Sequence, residues 1–524
     1  MAGSFTTEKT CSEHVEVGEE KNNCHGSIPL DTTVLADQEL SAFDRKMLLK
    51  LDLIIIPVVA LLFLMSFLDR GNIGNARVVS DFCDRWFLAV SALLSDVQAG
   101  LQADLHLTDH QYQTALTVTY VPYILAELPS NLLLSKIGPK ILLPTLCTGW
   151  GIVTTLQSQV HNYDGLIACR FFLGLLEGGL FPGIVLYLSF FYRRHELQLR
   201  VALFFAATSA AGAFSGLLAA AIIQMDGVGG MRGWQWIFCL EGILTFLIGF
   251  GSFFLLPNNP RQVHTFTAEQ AARCEERLKL DVDLQSHESV DLKSVASAFA
   301  SVHVWLMVFQ LFGAGACLYG LAYFTPSIVK GFGYNETQTQ LLTAPPFIAA
   351  FIVNLFTAYM SDKYRQRGLA AIGTWIIALV GFVMFYKCRS IGSRYTSLFL
   401  MITGVYSASP CLVCWVPNNT AARTRRATAI AMAFISTNVG GIVSTWIFPT
   451  SQAPYYRFAS RFLMSLNITS LVLAAVTIFW LRRRNAEKGE TEYRRRVLEP
   501  VAGLEPADQL RILGDSHPDY YFTY

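Results

Sequence analysis

Residues 51–78 read LDLIIIPVVALLFLMSFLDRGNIGNARV. From Leu53 to Leu68 no residue carries a charge. Such a run approaches the roughly 20 apolar residues with which an α-helix crosses about 30 Å of hydrocarbon. In that medium every backbone N–H and C=O must be satisfied within the segment, which favours a helix over any open strand. The run closes on Asp69 and Arg70, two charges toward the far part of the span. Outward from this stretch the pattern recurs. Further spans are expected near 110–134, 140–158, 164–191, 199–223 and 234–256, then 301–325, 341–361, 369–388, 395–417, 427–449 and 461–481.

The whole chain of 524 residues is 52% hydrophobic and only 15% charged. Soluble domains carry about 25% charged residues. The formal net charge of +1 excludes a strongly basic nucleic-acid binder, so no nucleic-acid partner is expected. The eleven cysteines are scattered, and the CxxC of Cys411 and Cys414 falls inside a span with no second pair. Packing is its expected role, and neither metal nor cofactor is implied. No phosphate-binding Gly loop, HExxH or GxSxG elbow is present, so the chain is not read as an enzyme.

The predicted organisation has five parts: a disordered cytoplasmic tail over 1–45, a six-helix half over 46–256, a cytoplasmic linker over 257–300, a second six-helix half over 301–482, and a cytoplasmic tail over 483–524. Within the linker, Thr267-Ala-Glu-Gln270 has the form of a capping box ahead of a charged helix. Lys and Arg gather in the loops after even-numbered spans, as at Arg193-Arg194 and Arg425-Arg426, whereas the loop at 158–164 has neither. Both termini should then face the cytoplasm. Lys387, Arg389 and Arg394 in an odd loop depart from that bias.

A weak internal repeat supports two halves. Asn131 to Lys140 (NLLLSKIGPK) and Ala358 to Arg367 (AYMSDKYRQR) both resemble the GxxxD[RK]xG[RK][RK] loop of the major facilitator superfamily, each in degenerate form. The first lacks the acid and the second its glycines. Lys136, Gly138, Lys140, Asp362, Lys363 and Arg367 are thereby candidates for conformational gating; ordinary loop charge is the alternative. The fold class expected is an all-α membrane protein, with twelve transmembrane helices in two pseudo-symmetric six-helix halves around a midplane site.

Ionisable side chains inside spans are costly, by about 2.5–3.5 kcal/mol on insertion scales, and are functional candidates for that reason. Asp69 and Arg70 point about 100° apart on a helix, so each should look to another helix for a partner; an interfacial pair at the helix end is the other possibility. Arg170 and Glu177, seven apart, share one face of the fourth span with Gly174 and Gly178. A buried Arg offers a planar fork to a carboxylate, and a carboxyl removed from water takes up a proton more readily. The two could equally form a structural network along their own helix. Glu241 either titrates or, as favoured here, braces loop charges. Asn438, beside Gly440 and Gly441, could contact substrate or hydrogen-bond between helices. Tyr319, Tyr323 and Trp415 line a cavity or simply pack.

The runs LDRGNIGNARV (68–78), RFFLGLLEGGLFPGIVLYLSFFYRRHELQLR (170–200), GWQWIFCLEG (233–242) and CWVPNNTAARTRRATAIAMAFISTNVGGIVSTWIFP (414–449) resemble the fungal allantoate permease family. This is the anion:cation symporter branch of the major facilitator superfamily, and the resemblance, with nicotinate permeases nearest, covers roughly residues 40–520. It implies import of a small monocarboxylate such as nicotinate, allantoate or a related vitamin or nitrogen source, driven by a proton gradient, in the plasma membrane, by a monomer. In bacterial sugar-acid symporters of the same branch, an Asp-Arg pair in the first span and an Arg/Glu pair in the fourth bind substrate and proton. Carried over, Arg70 and Arg170, with Asn438, are the expected substrate-binding residues, and Glu177 and Asp69 the proton-coupling ones. A neutral-solute or drug carrier of the same fold and a transporter-like nutrient sensor are the alternatives. One segment departs from the family. Val79 to Gln98 (VSDFCDRWFLAVSALLSDVQ) stands where relatives pass almost directly to a GLQADL-like stretch. Its length in nucleotides and its GTGAGT-, CTGAC- and CAG-compatible codons suit a translated retained intron; a genuine extracellular insertion is the alternative.

Overall fold

The computed structural model describes residues 30–78, 100–192, 194–283, 292–364, 366–421, 423–449, 452, 455–503, 509 and 513–524. The segment 79–98 lies outside the described residues. The chain divides into two compact units, Met1–Leu49 and Lys50–Tyr524. Of the first, the described part is helical. The second carries the bundle.

Twelve long helices build it: α1 (Leu30–Val78), α2 (Asp109–Ile137), α3 (Pro139–Gln157), α4 (Tyr163–Leu188), α5 (Leu203–Met225), α6 (Gly233–Leu255), α7 (Val302–Lys330), α8 (Glu336–Tyr364), α9 (Arg367–Lys387), α10 (Ile391–Asn418), α11 (Arg423–Trp446) and α12 (Arg457–Gly489). Among the described residues no strand occurs. Ten of these helices contain stretches long and apolar enough to cross a membrane. The more polar α2 and α3 complete the twelve expected spans.

Local sequence chemistry sets several ends. Thr108 and Gln111 cap α2 reciprocally, at 2.9 and 3.2 Å. Asn162 accepts from Gly165 N–H at the start of α4. The α-helix of α4 is interrupted between Glu177 and Leu180, because Pro182 has no N–H to give the carbonyl of Gly178. The capping box read at Thr267 is present, with both bonds to Gln270 at 3.3 Å. It opens the linker helix Ala268–Asp283. That helix is pinned to the first half by an Arg277–Glu196 ion pair. The second linker helix, Leu292–Phe299, meets the other half, where Arg425 of α11 donates to Ser297 C=O and to Ser301.

Gly174 and Gly178 let α4 approach a neighbouring backbone. A Cβ at Gly174 would stand 2.0 Å from Thr119 C=O, and one at Gly178 would stand 2.3 Å from Tyr123 C=O. Their stripe therefore seats α4 against the backbone of α2, not against a substrate. Gly440 likewise packs on Phe312 C=O of α7, so it serves close helix contact.

The halves (α1–α6 and α7–α12) meet tightly at the end where α1 and α7 finish, the distal end. There Tyr120 and Tyr323 hydroxyls bond at 2.8 Å, Thr117 and Thr445 at 3.0 Å, and Trp446 Nε1 donates to Thr117 at 2.9 Å. At the opposite, proximal end, where α7 begins, residues 513–524 fold back onto the second half. Asn419 holds Thr523 by its N–H (2.8 Å) and C=O (3.1 Å), and Asn485 holds Phe522 in the same way at 2.9 Å each. Trp415 Nε1 donates to Thr523 C=O at 3.0 Å. Trp415 is thus committed to the tail and not to a cavity.

Candidate functional site

Helix α1 places Phe63, Phe67 and Arg70 four and three residues apart, so they share one face. That face looks onto a pocket with about 510 Å³ of empty space, open solvent included, to which both halves contribute. Most of its lining is apolar and aromatic; Arg70 supplies its charge, and Asn438 of α11 lies on the opposite wall. A second hollow of about 370 Å³, lined in part by Asn75, Ser215 and Thr343, shares Phe67 and lies toward the distal end.

The Arg70 guanidinium is 7% exposed and heavily committed. Its Nε donates to Glu177 Oε1 at 2.7 Å, and one terminal nitrogen donates to the Tyr319 hydroxyl at 2.7 Å. Rings of Tyr123, Phe67 and Tyr319 surround it at 4.7, 5.3 and 5.5 Å. Cations over aromatic faces gain about 2 kcal/mol when desolvated. Ser66 donates to the same Glu177 oxygen, while Glu177 Oε2 has no hydrogen-bond partner among the described residues.

The four charges expected to act together are brought close, but crosswise. Arg170 and Glu177 do not meet: two helical turns separate them by about 10 Å along the axis. Glu177 turns to Arg70 of α1. Arg170, 2% exposed, does not line the cavity. It stands 5.7 Å from the Phe238 ring and within electrostatic reach of Asp69. Asp69 in turn accepts from Trp150 Nε1 at 2.8 Å and from Asn72 at 3.4 Å. Asp69 and Arg70 are both buried, so they are not an interfacial pair at a helix end. Glu241 is 3% exposed, and the side chain against its carboxylate is Asn72 of α1, not a loop charge. Tyr319 lines the cavity, whereas Tyr323 closes the distal end against Tyr120.

The gating candidates lie at the proximal end. Gly138 takes φ 91° between α2 and α3, a conformation that favours glycine. Lys140 N–H donates to Asn258 Oδ1 at 3.0 Å, so this loop is held by an amide after α6. Lys136 is exposed and makes no ion pair among the described residues. Lys363 stands near the rings of Tyr359 and Tyr364. Arg367 N–H donates to Tyr524 C=O at 2.7 Å. Asp362 closes α8, and its side chain lies outside the described residues.

Sequence reasoning named Tyr319 but passed over Ser66, Phe67, Tyr123 and Glu127. Glu127 sits one turn from Tyr123 on α2, with Oε2 unpartnered. The i, i+4, i+7 spacing of Phe63, Phe67 and Arg70 was the available signal for the ring cluster; Glu127, an acid within an apolar run, was another.

Residues 86–445 match the Major Facilitator Superfamily. An uncharacterized transporter of Schizosaccharomyces pombe is 34% identical over 93% of this chain and 92% of that protein. The chain belongs to the Major Facilitator Superfamily. It is a multi-pass membrane transporter and not an enzyme. The high-affinity nicotinic acid transporter of Saccharomyces cerevisiae is 29% identical, over 92% of this chain and 85% of its own length. Among solved structures, a bacterial homolog of the human lysosomal transporter Spinster aligns with TM-score 0.60 at 13% identity, over 81% of this chain and 96% of that one. The D-xylose-proton symporter aligns with TM-score 0.54 at 15% identity, over 81% and 97%. These two likenesses bear on the fold alone.

Proposed function

We propose that this transporter is a proton-coupled symporter of the allantoate permease branch. It imports a small organic monocarboxylate, such as nicotinate, allantoate or a related vitamin or nitrogen source, by alternating access. The proposed setting is the plasma membrane with both termini cytoplasmic. The observation that carries the proposal is Arg70, a guanidinium on the wall of a cavity between the halves, held by the carboxylate of Glu177.

The contact supplies a coupling logic. While Glu177 is ionised it competes with any anion for Arg70. Protonation removes that competitor and leaves the fork for a substrate carboxylate, a charge-assisted bond. Release of the proton on the other side restores the competitor and expels the anion. Rings around Arg70 suit a flat or apolar remainder, and Asn438 offers a polar contact opposite. The gating loops and the Tyr120–Tyr323 contact would exchange closure between the two ends.

The test is uptake of labelled nicotinate in a permease-deficient fungal host at pH 5 and pH 7.5, with an unlabelled carboxylate panel. Uptake that rises at acid pH and collapses with a protonophore supports the proposal. The apolar lining favours one other reading, a carrier for a neutral aromatic solute; uptake insensitive to both pH and carboxylate competitors would select it.

A further inference from the structure

Phe67, Gly71 and Asn75 recur at four-residue spacing, so they form a stripe along α1 beside the one that carries Arg70. This stripe walls the smaller hollow, and Phe67 is the one residue that both linings share. Gly71 brings no side chain to the wall; a Cβ there would stand 3.1 Å from Ser215 Oγ. Asn75 lies five residues past Arg70, about 7.5 Å further along the helix.

No charged residue lines this hollow. Apart from Tyr406, its polar side chains are Asn75 of α1, Thr208 and Ser215 of α5, and Thr343 of α8, each at most 5% exposed. Asn75 Nδ2 donates to Ser215 Oγ and, at 3.4 Å, to Ser215 C=O. Gln340 Nε2 of α8 donates across the halves to Asn75 C=O, also at 3.4 Å. Thr343 gives its hydroxyl proton to Gln340 C=O at 2.6 Å, which leaves its oxygen to accept. Ser215 accepts from Asn75 and keeps its own O–H to give. Thr208 Oγ1 has no hydrogen-bond partner among the described residues, although the residue is only 1% exposed. Leaving a buried hydroxyl unpaired is costly, and this one belongs to the wall of a hollow. Donors and acceptors thus stand together where no charge is present.

We propose that the smaller hollow is a second substrate subsite, which binds a neutral group able both to donate and to accept hydrogen bonds: an amide, ureido or hydroxyl end. The inference rests on the reading of Arg70 as the carboxylate anchor and adds the far end of the substrate to it. With the carboxylate on Arg70, a chain lying along Phe67 carries such an end to Thr208, Ser215 and Thr343. Helices α1 and α5 hold one side of that end and α8 the other, so it ties the two halves together. A methyl group in its place leaves Thr208 unsatisfied, and a second carboxylate is desolvated with no cation to meet it. The subsite therefore selects monocarboxylates with a neutral polar end over plain aliphatic acids and over dicarboxylates. Thr208 is the residue that sets this specificity.

Four compounds on one five-carbon chain test the subsite: pentanoate, glutaramate, glutarate and pentanamide, which differ only in whether each end is methyl, amide or carboxylate. Calorimetry on the purified full chain at pH 6 reads their affinities. Glutaramate is expected to bind about tenfold tighter than pentanoate or glutarate. Thr208→Val, which removes the hydroxyl, should reduce that preference to about twofold while pentanoate binds as before, and Thr208→Ser should restore it. Thr343→Val, on the other half, is the second variant and should act in the same direction. Equal binding of pentanoate and glutaramate, or a preference that survives both valine variants, overturns the subsite and leaves Arg70 as a carboxylate anchor; Thr208 then meets water alone. Absence of binding by all four overturns both. Thr208-dependent binding of pentanamide, with none by the carboxylates, leaves the subsite standing and the carboxylate reading fallen.

Discussion

Arg70 Nε and Glu177 Oε1 are 2.7 Å apart, and both belong to the first half. The same guanidinium reaches across to Tyr319 of the second half, also at 2.7 Å. One side chain thus answers to an acid on its own half and to a hydroxyl on the other. Neutralising the acid changes what the guanidinium can offer a ligand without itself unlocking the halves.

Glu177→Gln should therefore separate two activities. Exchange of labelled substrate across a membrane without a pH gradient should survive at a substantial fraction of the parent rate. Accumulation driven by a pH gradient should fall at least tenfold. Counterflow and gradient-driven uptake in the same vesicles measure the two; unchanged accumulation would remove Glu177 from coupling.

Arg70→Lys keeps the charge but not the fork. Loss of a charge-assisted hydrogen bond is worth about 1.5–3 kcal/mol, so KM should rise roughly 10- to 100-fold. Arg170→Lys, away from the cavity wall, should change KM less and the pH dependence of uptake more. Saturation curves at two pH values check both, and a larger KM effect at Arg170 would reverse the assignment of the two arginines.

Tyr120→Phe removes the hydroxyl that meets Tyr323 at the distal end. Leaving its buried partner unsatisfied costs about 1–3 kcal/mol, which shifts the population toward distal opening. A cysteine introduced at Ala322, on the wall of the smaller hollow, reports this. Its alkylation by an impermeant thiol reagent should quicken severalfold in the Tyr120→Phe background.

Gly178→Ala should lower the thermal stability of the purified protein. A Cβ there meets Tyr123 C=O at 2.3 Å, so α2 and α4 must part. Overpacking of this kind costs about 1–3 kcal/mol. Because Tyr123 also flanks Arg70, transport should fall with stability; an unaltered melting temperature would show that the contact yields without strain.

Asn419→Ala or Asn485→Ala should each release the returning tail, since each amide holds one residue by both N–H and C=O. At about 1 kcal/mol per bond the loss is about 2 kcal/mol per variant. Limited proteolysis after residue 503 should become faster, and the melting temperature should drop by a few degrees.

The twelve helices were legible because hydrocarbon imposes length and composition directly on the sequence. Thr267 and Gln270 were legible because a capping box is local. The positions of Asp69, Arg70, Arg170 and Glu177 were legible as misplaced charges, but their partners were not. Which helix adjoins which is a property of the assembled bundle, and spacing along α4 suggested a pair that two turns of helix keep apart. Trp415 and Asn419 were illegible for the same reason: their partners, Thr523 and its neighbours, are over a hundred residues away. Glu241 looked like a helix-end brace until its burial within the bundle was seen.

The linker and the tail have one more consequence. The helix Ala268–Asp283 is fastened to the first half through Arg277 and Glu196, whereas the returning tail is clasped by Asn419 and Asn485 of the second. If the halves rock, these two attachments travel as passengers on opposite rockers. A pair of spectroscopic labels, one on each, would read the stroke as a changing distance, at positions outside the cavity lining.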